Sequence, residues 1–211
     1  MPSEFDPVEV PAASGRAVLR SDSASLLPQD AGEVLLPLAR AAIAAELGIV
    51  GILHSAKEDF PWLRQPGACF ITLMAGGRLR GCIGTLRAHR ALLEDVKANA
   101  VAAAFRDPRF SPLAGSEFSA VAVEISVLSA LEPMTVVDEQ DAVRQLRPGV
   151  DGIVFQYGHH SGTFLPQVWE NFSDPADFLA HLRYKAGLPP DFWDSEVKLS
   201  RYVVTKWREE Q

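Results

Sequence analysis

A thiol beside a guanidinium is the first place where this sequence holds chemistry. In the run Leu79-Arg80-Gly81-Cys82-Ile83-Gly84-Thr85 a cysteine lies between two glycines. Read as a strand, its side chains alternate, so Arg80 and Cys82 share one face and Leu79, Ile83 and Thr85 take the other. A neighbouring guanidinium favours the thiolate, the nucleophilic form. Gly81 and Gly84 cost backbone entropy and add no packing, which implies that something approaches the backbone closely there. The alternative for Cys82 is a small apolar residue packed under a helix.

Other residues offer partners. Glu124 and Ser126 project from one face of a later strand. If that face meets the one bearing Arg80 and Cys82, a carboxylate, a hydroxyl, a guanidinium and a thiol converge, a set suited to acid–base or covalent chemistry. The plainer arrangement is a Glu124–Arg80 ion pair on a polar sheet face. In Asp107-Pro108-Arg109-Phe110, Asp107 can close a turn by accepting backbone N–H groups, leaving Arg109 to reach an anionic ligand. The same four residues also read as a helix stop with Phe110 in the core. Gln167 is an amide between apolar neighbours, suited either to orient a ligand or to ordinary strand-to-loop packing. His159 and His160 are adjacent in a hairpin turn without the i, i+4 spacing of a helical metal site, so a solvated turn and no metal are expected. His54, His89 and His181 are isolated and expected at the surface. No CxxC pair, GxSxG elbow, phosphate loop or dinucleotide fingerprint occurs, so no cofactor is expected.

The elements that must position these groups follow from periodicity. Asp30 can cap a helix to about Glu46. Ala68–Met74 and Leu79–Leu86 bracket Gly76-Gly77 as a hairpin. A helix from about His89 to Phe105 turns Leu92, Leu93, Val96, Ala100, Ala103 and Ala104 inward, and Asp107-Pro108 ends it. Val121, Val123, Ile125 and Val127 alternate with Ala122, Glu124 and Ser126 along a strand whose valine face is inward. Asp138–Leu146 is a short helix closed by Pro148-Gly149. Ile153–Tyr157 and Gly162–Leu165 form a second hairpin around residues 158–161. A helix over Asp174–Ala186 stops at Gly187, and one last strand covers Val197–Thr205. Tight turns between strands imply antiparallel pairing, hence an α+β fold with sheet flanked by helices.

Composition bounds the rest. The chain has 211 residues, 47% hydrophobic and 22% charged, with net charge −7, which suits a globular protein with a sizeable core. That balance disfavours broad attraction to nucleic acid or anionic membrane. No apolar run suits a membrane span and no secretory signal is expected. Residues 1 to 27 read as a flexible tail, with the folded domain over 28–211. Two cysteines, Cys69 and Cys82, on neighbouring strands fit a cytoplasmic protein with reduced thiols.

The segments LRGCIGTL, AAAFRDPRF, VEISVLS, GTFLPQVWE and KAGLPPDFW occur in the order seen in one family. From about Leu35 to Trp207 the chain resembles the AMMECR domain, also called AmmeMemoRadiSam system protein A. The resemblance implies an α+β protein with a smaller second lobe and a cleft between the lobes. It implies that Arg80, Gly81, Cys82, Gly84, Asp107, Arg109, Glu124, Ser126 and Gln167 gather there. It also implies a Memo-type protein and a radical-SAM protein as companions. Relatives often carry a cysteine in the helix before KAGL, where this chain has His181-Leu182-Arg183-Tyr184-Lys185. Two functions are expected from these residues. In one, an enzyme uses Cys82 as nucleophile or covalent carrier and Glu124 as acid or base, with Arg80 and Arg109 serving thiol and substrate. In the other, a non-catalytic module binds or orients those companions or carries their substrate. Action on nucleic acid rests only on fold analogy and conflicts with the acidic balance.

Overall fold

Two glycines fold the first hairpin. Gly76 and Gly77 both take positive φ, 54° and 78°, which a type I′ turn demands and glycine supplies without steric cost. They join β1 (Pro66–Ala75) to β2 (Arg78–Gly84) as an antiparallel pair. The computed structural model describes residues 27–49 and 57–210. The tail expected over residues 1 to 27 falls almost wholly outside the described residues, as does His54.

Helix α1 (Ala31–Glu46) has the expected bounds. Asp30 stands at its N-cap, but the side chain makes no capping bond; only the Asp30 carbonyl is engaged, accepting the Glu33 N–H at 2.9 Å. Before the next helix, β3 (Arg90–Ala91) pairs with Gly67 and Pro66 at the start of β1. That pairing keeps the chain extended, so α2 (Leu92–Phe105) begins after the expected His89. The helix packs on α1, β1 and β2. Leu92, Val96, Ala100, Ala103 and Ala104 are buried as the spacing predicts, while Leu93 is half-buried.

The buried side of α2 also carries Asp95 and Asn99, which hydrophobic periodicity does not reveal. Asp95 accepts the backbone N–H of Cys69 (2.8 Å), the Thr85 hydroxyl (2.8 Å), Arg90 Nε (2.8 Å) and Asn99 Nδ2 (3.0 Å). Asn99 in turn donates to the Cys69 carbonyl at 3.0 Å. A buried carboxylate is tolerated when it is paired and hydrogen-bonded in this way. The network ties the first turn of α2 to β1 and to Thr85 just past β2.

Strand β4 (Val121–Leu128) buries Val121, Val123, Ile125 and Val127 as expected, but Ala122, Ser126 and Leu128 are buried too. It is an interior strand: with β9 (Val204–Arg208) the sheet runs β2-β1-β4-β9, and β3 pairs with β1. Arg40 of α1 fastens this side. It bonds Glu209 through Nε at 2.6 Å and through Nη2, and donates to the carbonyls of Phe118 (3.1 Å) and Val121 (2.7 Å). Glu209 meanwhile accepts the Val123 N–H at 2.8 Å.

The chain forms two compact units, one running to Ser126 and resuming at Lys206, the other Val127–Thr205. The second unit holds β5 (Glu132–Met134), α3 (Glu139–Gln145), β6 (Gly152–Tyr157), β7 (His160–Phe164), α4 (Pro175–Lys185) and β8 (Lys198–Tyr202). Its sheet order is β5-β8-β6-β7. Asp138 and Asp174 cap α3 and α4, and Gly187 at φ 82° ends α4. Phe155, Trp169, Phe178, Leu182 and Leu199 share the core, with Trp169 stacked on Phe178 at 3.7 Å.

Two expectations change here. The second hairpin turns on Gly158 and His159 alone, and His160 belongs to β7 opposite Tyr157. The single last strand is two, β8 and β9, in different sheets. They part at Val203, whose N–H and carbonyl bond Ser129 Oγ (3.0 Å) and Ser129 N–H (2.9 Å). The class is α+β, with antiparallel sheets and flanking helices. Among the described residues no helix is long and apolar enough to cross a membrane.

Asp95→Ala strands the Cys69 N–H and removes the partner of Arg90, and is expected to cost about 3 kcal/mol of stability. Urea denaturation reads this directly, and an unchanged midpoint would show that the network does not anchor α2.

Candidate functional site

The register between β1 and β2 contains one irregularity. Ala75 faces Arg78 and Met74 faces Leu79, but Leu73 faces Gly81 and Thr72 faces Cys82, so Arg80 is an extra residue in β2. A bulge of this kind re-aims every side chain beyond it. In an unbroken register Cys82 would oppose Ile71, which is fully buried, and directly opposed residues share a face. The bulge sets Gly81 on that side instead, where an added Cβ would stand 2.2 Å from the Ala103 carbonyl of α2. Cys82 shares the other side with Thr72, whose hydroxyl donates to Sγ at 3.3 Å. The small residue packed under the helix is therefore Gly81. At Gly84 an added Cβ would fall 2.2 Å from the Phe70 ring. Close approach to both glycines is real, and the protein's own atoms make it.

Among the described residues β2 is an outer strand, so its outward N–H and C=O groups find no ladder partner there. At Cys82 the Asp107-Pro108-Arg109 turn supplies both partners. Asp107 Oδ2 accepts the Cys82 N–H at 2.8 Å, and Arg109 Nη2 donates to the Cys82 carbonyl at 3.2 Å. The clamp is itself locked: Asp107 accepts Arg109 Nε at 3.0 Å, Nη2 at 2.7 Å and the backbone N–H at 3.1 Å. Asp107 closes its turn as the sequence suggests. Arg109, expected to be free for a ligand, directs most of its donors to Asp107 and to the backbone of Cys82.

The charge pairing differs from expectation. Arg80 bonds Glu117 through Nε at 2.9 Å and Nη2 at 3.0 Å, and its guanidinium lies 5.9 Å from the Phe110 ring. Glu124 pairs not with Arg80 but with Lys206, Nζ to Oε1 2.7 Å. The reason is the bulge, which breaks the strict alternation on which the Arg80–Cys82 pairing rested. Nor is the thiolate favoured. Burial pushes the Cys82 thiol above its ordinary range; the Thr72 hydroxyl and the Arg109 charge oppose the shift, and Asp107 and Glu124 add to it. At neutral pH Cys82 is a thiol.

Cys82, Thr72, Glu124 and Lys206 come one from each of β2, β1, β4 and β9, in the order of the sheet. Ser126 is buried on β4. Gln167 is exposed on a 3-10 turn, Pro166–Asn171, of the second unit. His160 engages the Ala186 carbonyl through Nδ1 at 3.0 Å, and His89 and His181 are exposed. Among the described residues no three of His, Cys, Asp and Glu are grouped to hold a metal. Sequence reasoning missed Thr72, Glu117 and Lys206. Thr72 is identified only by the bulged register, and Lys206 lies just past the expected end of the last strand.

A model of the AMMECR1 family matches residues 36–207. A protein of Methanothermobacter thermautotrophicus is 37% identical over 187 residues, covering 87% of this chain and 97% of its own length. One of Sulfurisphaera tokodaii is 38% identical over 195 residues, covering 88% of this chain and 85% of its own. The crystal structure of an uncharacterized protein from Pyrococcus horikoshii matches with a TM-score of 0.74 at 34% identity, over 87% of this chain and 94% of that one.

Hydrogen bonds from Arg109, and from the backbone of Cys82 and Arg109, hold Asp107 at about 2 against an ordinary value of 3.8. A carboxyl depressed by folding stabilises fully above its unfolded pKa and loses that contribution as pH falls through the folded value. Asp107→Asn is therefore expected to cost about 2 kcal/mol near neutral pH. The gap to the wild type should narrow as pH falls below 3.8 toward 2. An equal gap in urea titrations at both ends of the range would refute the clamp.

Proposed function

The chain belongs to the AMMECR1 family, and we propose that it is a thiol-dependent enzyme whose reacting atom is Cys82 Sγ. The observation that carries this is the clamp on Cys82: carboxylate on its N–H, guanidinium on its carbonyl, hydroxyl on its sulfur. Packing alone does not require one residue to be held at its N–H, its carbonyl and its sulfur. Fixed geometry is what an attacking atom needs.

The thiol rests protonated, so the base must act as the substrate arrives. Glu124 is the candidate: its Oε1 is held by Lys206, and its charge acts on Cys82. Sγ forms a bond to an electrophilic carbon as its proton passes to the Glu124 carboxylate. The electron pair of the broken bond departs on the substrate's leaving group, which then takes that proton. Asp107 and Arg109 act as positioning residues through the backbone of Cys82. A Memo-type protein and a radical-SAM protein are its proposed companions, and the family resemblance is what supports them.

A second reading is a binding module for those companions. The observation favouring it is the protonated thiol, which a module needs no more than any small side chain. Function in a strain lacking the gene separates the two. Cys82→Ser is expected to fold and fail, as is Glu124→Gln. Full function of Cys82→Ser, with failure only of the bulky Cys82→Leu, would sink the enzyme and leave the module. In the folded protein, alkylation of Cys82 by iodoacetamide is expected to be slower near neutral pH than that of a small free thiol, and to keep rising into alkaline solution.

A further inference from the structure

Two ion pairs bear on Cys82, and both point the same way. Asp107–Arg109 bonds its backbone. Glu124–Lys206 stands on β4 and β9 of the same sheet, the Glu124 charge acting on the thiol. In Asp107–Arg109 the Asp107 side chain is 2% exposed and the Arg109 side chain 44%. In Glu124–Lys206 the Glu124 side chain is 14% exposed and the Lys206 side chain 50%. Each pair is neutral as a whole, yet each turns its anion inward and its cation to solvent. Solvent therefore meets the positive side chains before the carboxylates they pair with. Neither cation is saturated: among the described residues Arg109 Nη1 has no hydrogen-bond partner, and Lys206 Nζ bonds only Glu124. The chain as a whole carries net charge −7, so this local polarity runs against the global one.

We propose that the substrate brought to Cys82 is an anion, an electrophile bearing a carboxylate or phosphate-type group that Lys206 and Arg109 receive. This rests on the reading of Cys82 as the reacting atom and adds the substrate class. Lys206 contacts the anionic group directly. Arg109 keeps its bonds to Asp107 and Cys82 and offers Nη1. The charged groups bearing on Cys82 are Asp107, Arg109 and Glu124, and Lys206 is paired to the last of these. Outward cations with carboxylates behind them raise the local concentration of anions, as charged clefts do. The effect should weaken as salt screens it.

The test uses two reagents of matched chemistry on the intact chain. Iodoacetate and iodoacetamide each form an S–C bond to sulfur with loss of iodide; only the first is an anion. Because both need the same thiolate, the ratio of their rates at Cys82, located by mass spectrometry, is independent of the thiol's ionisation. Relative to a small free thiol, the ratio at low salt is expected to favour iodoacetate by about threefold. Lys206→Met should remove most of that preference, Lys206→Glu should reverse it, and Lys206→Arg should keep it. A ratio at or below that of the free thiol, or one unmoved by Lys206→Glu, overturns the proposal. If iodoacetamide alkylates Cys82 normally in that case, only the anion preference falls. If neither reagent modifies Cys82 even in alkaline solution, the thiol reading falls and takes the anion preference with it.

Discussion

The first unit hangs on carboxylates that accept backbone N–H groups from its strands. Asp95 takes the N–H of Cys69 in β1, Asp107 that of Cys82 in β2, and Glu209 that of Val123 in β4. Behind each carboxylate stands an arginine: Arg90, Arg109 and Arg40. The pairs as wholes add little net stability, because taking charges out of water offsets their attraction. Losing the arginine is a different matter for Asp95 and Asp107, since each carboxylate is then left buried with its charge unpaired. The device therefore specifies placement more than it contributes free energy. Asp95 and Asp107 lie near the two ends of α2, so the helix is pinned to the hairpin at both ends, and Cys82 sits at one pin.

Most elements were legible because periodicity and turn chemistry report local structure. Gly76-Gly77, Asp138, Asp174 and Gly187 each punctuate the chain where the sequence says they should. The site was legible as a list of residues but not as a set of pairs. Glu124 with Lys206 depends on which strands are neighbours, and Arg80 with Glu117 on where the 3-10 turn Gly115–Glu117 before β4 is placed; no local pattern encodes either. Nor does a helical wheel distinguish Asp95 and Asn99 from solvent-facing polar residues, since their burial follows from a network that includes Thr85 and Arg90. The last strand was misread for a similar reason. A run without glycine or proline from Val197 to Thr205 hides a change of sheet at Val203.

What the clamp secures is location rather than reactivity. A cysteine on an outer strand has backbone groups that a fraying edge would release. Here both groups are fixed, and the thiol is held in its neutral form by burial. A neutral thiol is also protected from oxidation, because the thiolate is the species that oxidants attack.

The Arg80 bulge makes the position of the sulfur a matter of parity. Whether Cys82 lies under α2 or away from it depends on an odd or even count of residues between it and the Gly76-Gly77 turn. Such a property has no intermediate values. Point substitutions can weaken the hairpin or unload the clamp, but they cannot slide the thiol gradually from one face to the other; an insertion or deletion does it in one step. Length between the turn and the cysteine is thus constrained independently of which residues fill it.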